Sequence, residues 1–166
     1  HPPPWEIVPR DSYRLPLHRG FTFDDASARV PYLAALGVSH CYLSPILRAR
    51  PGSTHGYDII DHGTINPELG GEGGFERLAS ALCEHGMGVV LDLVPNHMGV
   101  MGSDNAWWLD VLENGPAAAA ASHFDIDWAP MTEQLRTKVL LPTLGDHYGN
   151  ILDRGELRLT FYPERG

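Results

Sequence analysis

An aromatic side chain, two carboxylates and two imidazoles fall within one short segment of the chain. They are His55, Tyr57, Asp58, Asp61 and His62. A tyrosine ring can stack on a pyranose face, and carboxylates and imidazoles can hydrogen-bond its hydroxyl groups. The same residue types can instead satisfy the backbone amides of a glycine-shaped loop. The pattern fits a sugar-binding loop and a self-contained turn equally well.

The carboxylates and imidazoles of this segment, His55, Asp58, Asp61 and His62, are also residue types that bind metal ions. Their spacing matches no helical His-Glu-x-x-His arrangement, and His and carboxylate residues often fall this close by chance. We therefore expect no metal ion and no cofactor.

A second group of polar residues is Asp92-Leu93-Val94-Pro95-Asn96-His97. Asp92 interrupts an apolar run, so we expect its side chain to point into a crowded interior with a cationic or hydrogen-bonding partner. Asn96 and His97 follow the end of this predicted strand, where parallel α/β folds bind ligands. The alternative is a structural turn, which fits Asp92 and Asn96 better than His97.

Five segments must position these residues, and they alternate between strand and helix patterns. They are a strand at 12–17, a helix from Thr22 to Gly37, a strand at 38–43, a helix from Phe75 to His85 and a strand at 87–94. This order predicts βαβ units and a parallel sheet. Thr22 and Asp25 form a capping-box pattern, and Pro31 either kinks the first helix or restarts it. The last strand is apolar enough to be buried on both faces.

The residues between the second strand and Gly74 predict a long loop, rich in glycine and proline, at the ligand face. Beyond Gly99 a helix is predicted at 107–112, and the alanines at 117–121 either extend it or form a linker. The alternation at 156–162 predicts a half-buried antiparallel strand, and residues 163–166 a hairpin turn. The returning strand would lie further on, so we expect the chain to be part of a larger protein.

Composition excludes several function classes. The net charge of −9 and the lack of a basic stripe argue against nucleic-acid partners and anionic membrane surfaces. No apolar run approaches the roughly 20 residues of a membrane span, and the first residues do not resemble a targeting peptide. Cys41 and Cys83 are too few for a secreted disulfide scaffold. Two buried thiols in a cytoplasmic protein are the expected arrangement.

The residues just described match a known family. Asp92 to His97 resembles the first conserved region of the alpha-amylase family of glycoside hydrolases, Gly56-Tyr57-Asp58 its Gly-Tyr-Asp motif, and Tyr42-Leu43-Ser44-Pro45 the end of its second strand. Longer strings, at 12–17, 21–26, 45–58 and 141–145, resemble the maltooligosyltrehalose synthases within that family. Pro16 departs from the glutamine usual there, which should affect a strand edge and not the chemistry.

The resemblance implies an α/β fold, the first part of a TIM (β/α)8 barrel. Residues 1–99 would supply about three strands and two helices, and residues 100–166 the start of the inserted domain B. The implied activity is isomerisation of the reducing-end α-1,4 linkage of a maltooligosaccharide to an α,α-1,1 (trehalose) linkage, by intramolecular transglycosylation. The implied substrate is therefore a maltooligosaccharide.

The resemblance also implies roles for five residues. Tyr57 would stack on the sugar at the cleavage subsite, and His97 would hydrogen-bond the same sugar. Asp58 and Asn96 would line the pocket, and Asp92 would hold its frame. The family's nucleophile, acid/base and third carboxylate lie on later strands, so residues 1–166 alone are expected to be inactive. The alternatives are another alpha-amylase-type hydrolase or transferase, and a non-catalytic carbohydrate-binding half-barrel.

Overall fold

A computed structural model describes residues 8–165. It contains five strands and five α-helices in that range, joined by turns and short 3₁₀ segments. In chain order these are β1 (Ser12–Leu15), α1 (Phe23–Ser27), α2 (Val30–Ala35), β2 (His40–Leu43), β3 (Leu47–Ala49), β4 (Ile59–Ile65), α3 (Gly71–Glu84), β5 (Gly88–Leu91), α4 (Ala106–Asn114) and α5 (Tyr148–Asp153). The chain divides into two compact units, one up to Leu109 and one from Asp110 onwards.

The first unit is built on a parallel sheet of order β1-β2-β5. In its register Leu15 faces Leu43, which faces Leu91, so the carboxyl ends of the three strands are level. Leu15 and Leu43 are buried in a core shared with Phe23 of α1 and with the buried face of α3. The parallel β-α-β-α-β order predicted from the sequence is confirmed.

The first predicted helix is two helices in the structure. The Thr22 side chain accepts a hydrogen bond from the Asp25 amide while the Asp25 carboxylate accepts from the Thr22 amide, which confirms the capping box. Pro31 lies in the first turn of α2, where its missing N–H is not needed. It therefore restarts the helix and does not kink it.

The prediction of one long loop after β2 is wrong in part, because β3 and β4 pair within this segment as an antiparallel ribbon. β3 has only three residues, which are too few to show an alternating pattern in the sequence. Its register with β4 also shifts twice. Ile59 and Ile60 begin β4 as buried residues. The segment between the two strands, which carries Tyr57 and Asp58, is a loop, and so are residues 44–46 before β3.

The third parallel strand is shorter and more exposed than predicted. β5 ends at Leu91, and Val89 and Val90 are 38% and 40% exposed. Among the described residues β5 pairs with β2 alone, so it is an edge strand. Burial on both faces would require neighbours that residues 8–165 do not supply.

The predictions beyond Gly99 have mixed outcomes. The helix at 107–112 is confirmed by α4, which ends before Gly115, a residue with φ of +59°. The alanines at 117–121 do not extend α4, and the segment has a short 3₁₀ turn at each end. The strand at 156–162 is wrong: the segment is irregular, and Leu159 and Phe161 are exposed. A segment of alternating polar and apolar residues forms a strand only where another strand supplies hydrogen-bond partners for its backbone.

Two smaller expectations can be compared with the structure. Both cysteines are free thiols, but only Cys41 is buried, because Cys83 lies on the exposed side of α3. Within residues 8–165 we find no helix whose length and apolar character would let it cross a bilayer.

Candidate functional site

Three side chains from different strands meet at the level carboxyl ends of the sheet. Arg14 of β1 pairs in register with Tyr42 of β2, which pairs with Val90 of β5. Side chains alternate along a strand, so Asp92, two residues after Val90, lies on the same face as Arg14 and Tyr42. This is the face opposite the buried leucines that pack against the helices.

Asp92 is the centre of this group. Its Oδ2 accepts hydrogen bonds from the Tyr57 hydroxyl at 2.5 Å and from the Tyr42 hydroxyl at 3.0 Å. Arg14 Nη2 lies 4.0 Å from the same oxygen and donates to the Tyr57 hydroxyl at 3.1 Å. The Asp92 side chain is only 15% exposed, so the predicted crowded setting and the predicted partners are both confirmed.

Both tyrosine hydroxyls are held in the protonated form. The hydrogen bond that each donates to Asp92 raises the pKa of Tyr42 and of Tyr57, and desolvation adds to the effect. Arg14 opposes it, and its guanidinium also lies over the Tyr42 ring, 5.6 Å from the centroid. The two tyrosines therefore act as fixed donors that orient one carboxylate.

The turn before Tyr57 depends on glycine. Gly56 has φ of +76°, and a Cβ there would lie 2.7 Å from the Pro45 carbonyl oxygen. Ser53 stabilises the turn, since its Oγ accepts a hydrogen bond from the Gly56 amide at 3.1 Å and donates one to Asp58 Oδ1 at 2.5 Å. The close approach to the end of β2 directs Tyr57 towards Asp92.

His97 is exposed and joins the site through the backbone. Its Nε2 lies 2.9 Å from the Tyr57 carbonyl oxygen, which is only an acceptor, and its Nδ1 lies 3.2 Å from Asn96 Nδ2. The ring therefore carries its hydrogen on Nε2 and accepts at Nδ1. This tautomer links the segment after β5 to the loop between β3 and β4.

The structure thus brings together Tyr57, Asp92, Asn96 and His97, whereas the side-chain contacts of Asp58 are with other residues. The contacts of Asp58 lie inside its own loop, with Ser53 and, at 3.9 Å, with His55 Nδ1. His55 stacks beside Tyr57 with ring centroids 6.0 Å apart. Asp58 therefore shapes the loop on which Tyr57 stands.

Asp61 and His62 do not join the site. Asp61 accepts from the Gly63 amide and from the Thr64 hydroxyl, and these bonds lower its pKa, the Thr64 bond most. His62 lies 3.4 Å from the Val94 carbonyl oxygen. In residues 8–165 no group of three or more His, Cys, Asp and Glu side chains is arranged to hold a metal ion.

Sequence reasoning missed Arg14 and Tyr42 as members of the site. A signal was present for Arg14, a lone cation in the strand at 12–17. The strand pairing that places it beside Tyr42 is a tertiary property, however, and so is the contact of both with Asp92.

Comparison with known proteins agrees with this geometry. The family model described as alpha amylase, catalytic domain, matches residues 23–150. A protein of Mycobacterium tuberculosis named as a maltooligosyl trehalose synthase is 47% identical over 156 residues, which are 89% of this chain and 20% of that protein.

Solved structures agree as well. The maltooligosyltrehalose synthase of Arthrobacter ramosus is 48% identical, with a TM-score of 0.71 over 72% of this chain and 16% of that one. Another maltooligosyl trehalose synthase structure is 39% identical, with a TM-score of 0.84 over 95% of this chain and 21% of that one.

The chain therefore spans about a fifth of the length of these relatives. Its parallel strands and helices form part of a TIM-barrel catalytic domain, as the resemblance implied. The family match covers most of the chain and includes Tyr42, Tyr57, Asp92 and His97. This chain belongs to the alpha-amylase family.

Proposed function

We propose that the protein containing this chain is a trehalose-forming isomerase. It converts the reducing-end α-1,4 linkage of a maltooligosaccharide to an α,α-1,1 linkage by intramolecular transglycosylation. The observation that carries the proposal is the convergence of Tyr57, Asp92 and His97 at the carboxyl ends of the strands, in a chain 47% identical to a protein named for that activity. This convergence is suited to form one wall of a sugar pocket.

The residues of this wall bind and orient the substrate. The Tyr57 ring stacks on the sugar whose anomeric carbon reacts, and Asp92 keeps that ring in place through its hydroxyl. His97 hydrogen-bonds the same sugar, which requires a sugar hydroxyl to share the Nε2 hydrogen now donated to the Tyr57 carbonyl. Asn96 and Asp58 line the same pocket. Asn96 also contacts the imidazole, and Ser53 holds Asp58 in the loop that carries Tyr57.

The bond changes follow the two-carboxylate retaining reaction. A carboxylate from a later strand attacks the anomeric carbon, and a carboxylic acid protonates the oxygen of the leaving glucose. That glucose turns within the pocket, and its anomeric hydroxyl attacks the anomeric carbon of the intermediate while the deprotonated acid takes the hydroxyl proton. The bond to the carboxylate nucleophile breaks, and the new linkage is α,α-1,1. The residues of this chain contribute by holding the donor sugar and by limiting the access of water.

Incubating the complete protein with maltopentaose tests the proposal. Isomerisation gives a non-reducing product of unchanged mass, whereas hydrolysis increases the number of reducing ends. A product mixture with reducing ends only would favour another alpha-amylase-type hydrolase. Maltopentaose binding without turnover, in a protein whose later strands lack an Arg-x-Asp motif, would favour a carbohydrate-binding half-barrel.

Two further assignments belong to the proposal. Residues 100–166 are the beginning of a domain B inserted after β5; a separate compact unit that begins within this range, at Asp110, supports the assignment. The location is cytoplasmic, which is supported by two free thiols. Proteolysis of the complete protein would test the first assignment by cutting near residue 100, and cell fractionation would test the second.

A further inference from the structure

Arg50 stands between the two loops that carry the site residues. Its backbone amide donates to the Asp58 carbonyl at 3.1 Å, and its carbonyl accepts from the Ser53 amide at 3.0 Å. These bonds make Arg50 part of the loop that holds Tyr57. Its side chain, however, leaves this loop and reaches the segment that follows His97.

The Arg50 guanidinium forms an ion pair with that segment. Nε donates to Asp104 Oδ2 at 3.1 Å, and the two side chains are 32% and 24% exposed. Two glycines make room for it: a Cβ at Gly102 would lie 2.0 Å from Arg50 Nη2, and one at Gly99 would lie 3.2 Å from Arg50 Cδ. The guanidinium thus occupies space that any side chain at residue 102 would need.

The segment from Asn96 to Asp104 is attached at three points to the Tyr57 loop and to the start of β4, which follows that loop. His97 Nε2 donates to the Tyr57 carbonyl at 2.9 Å, and the Gly99 amide donates to the Ile59 carbonyl at 2.7 Å. The Arg50–Asp104 pair is the third attachment and the one made between charged side chains. It lies beyond His97, so it restrains the far end of the segment on which the imidazole sits.

The Arg50–Asp104 ion pair is not easily replaced by other contacts. Among the described residues Asp104 Oδ1 is buried and has no hydrogen-bond partner, so Arg50 is what balances this carboxylate. Removing one member of a partly buried ion pair leaves the other charge without compensation. Without Arg50 the segment would move so that Asp104 reaches water, and His97 would move with it.

We propose that Arg50 is a positioning residue which, through Asp104, fixes the His97 segment against the Tyr57 loop. The inference rests on the proposed function and deepens it. Holding the two loops together keeps the sugar wall closed while the released glucose turns, so that glucose, and not water, attacks the intermediate. Arg50 therefore favours isomerisation over hydrolysis without touching substrate.

The experiment uses the complete protein with the variants Arg50→Met, Arg50→Lys and Asp104→Asn. Arg50→Met and Asp104→Asn should each lower kcat for isomerisation by roughly 10-fold with little change in KM, since misplaced groups reduce rate more than binding. The ratio of hydrolysis to isomerisation should rise by about 3-fold or more, because the two loops are no longer held together around the released glucose. The double variant should be no worse than either single variant, and Arg50→Lys should recover part of the loss.

The matched control is Arg77→Gln. Arg77 forms a two-bond ion pair with Asp24, at 2.8 and 2.9 Å, with both side chains more than half exposed and on helices away from the loops. Its loss should leave both product rates unchanged. If Arg50→Met lowers the melting temperature but leaves kcat per folded molecule and the product ratio as in Arg77→Gln, Arg50 is only structural and the proposal is overturned.

Amide hydrogen exchange separates failure of this proposal from failure of the proposed function. If the wild-type protein forms no trehalosyl product, the proposed function is wrong. The exchange rate of the Gly99 amide still tests Arg50, because that amide reports the attachment to Ile59. Arg50→Met should speed this exchange by about 10-fold, and Arg77→Gln should not. Equal protection in both variants would overturn the positioning role.

Discussion

Asp61 and Asp92 are both carboxylates at strands of the first unit, yet their surroundings differ. Asp61 in β4 accepts hydrogen bonds from the Gly63 amide at 2.8 Å and the Thr64 hydroxyl at 2.6 Å, both within three residues. Asp92, directly after β5, accepts from Tyr57 and Tyr42, which are 35 and 50 residues away. One carboxylate stabilises its own turn, and the other holds three chain segments together.

The difference shows how a structural carboxylate can be told from one that belongs to a site. A locally satisfied group needs only its neighbours, so it can be replaced without moving distant elements. A group with distant partners has its position set by the fold, and it sets theirs in return. Replacing Asp92 should therefore change the chemistry, and replacing Asp61 should change at most a turn.

The largest effect is expected for Asp92→Asn in the complete protein. The amide accepts less strongly from two tyrosine hydroxyls and leaves Arg14 without its anion, so the Tyr57 ring loses its fixed position. Turnover of maltopentaose should fall by about 1000-fold, as when a preorganised polar contact is lost. A near-ultraviolet circular dichroism spectrum checks that the variant is folded. Turnover close to wild type would remove the contrast with Asp61.

His97→Asn should give the next largest loss. A hydrogen bond to the reacting sugar strengthens as its ring flattens towards an oxocarbenium-like state, so its loss lowers turnover more than binding. We expect turnover to fall by roughly 10- to 1000-fold, with isomerisation and hydrolysis falling together. Melting curves should change little. Near-normal turnover with a lower melting temperature would show that the bond to the Tyr57 carbonyl is its whole role.

Arg14→Met should have a smaller effect, because the arginine reaches Asp92 only at 4.0 Å and is half exposed. Turnover should fall by roughly 10-fold, since the carboxylate keeps both tyrosine hydroxyls. Arg14 lowers the pKa of Tyr57 against the larger effect of Asp92, so its removal should raise that pKa further. Absorbance titration of the variant, compared with Tyr57→Phe, measures the shift. An unchanged or lower tyrosine pKa would exclude Arg14 from the group.

Asp61→Asn should have the smallest effect, and none on turnover. Its folded pKa is lowered, so the carboxylate contributes stability above the unfolded value of about 3.9, and this is lost as pH falls through the folded pKa. The variant should melt at most a few degrees lower at pH 7 and at the same temperature as wild type in strong acid. A loss of turnover as large as that of Arg14→Met would place Asp61 in the site after all.

Some features could be read from short windows of sequence. The capping box of Thr22 and Asp25, the alternation of strands and helices, and the need of Asp92 for partners all depend on local backbone hydrogen bonds or on the character of one segment. The resemblance in residues 42–58 and 92–97 added the fold class and the proposed sugar wall in the form of named motifs.

Strand pairing shows the limit of the same reasoning. Residues 156–162 alternate as a strand should, yet they are irregular, because among the described residues no strand offers them backbone partners. β3 pairs with β4 although its three residues carry no strand pattern of their own. A strand pair forms only where two segments of the chain meet. The periodicity of a segment describes that segment alone and not its partner.

The sequence by itself determined the order of the three parallel strands with helices between them, the capped start of α1 and the residue types suited to contact a sugar. Only the tertiary structure decided that Asp92 is held by Tyr42, Tyr57 and Arg14, and that Asp58 and Asp61 serve their own loops. The physical reason is that helix caps and periodicity come from hydrogen bonds and burial within one segment. The surroundings of a carboxylate depend on strand register, which brings together residues far apart in the chain.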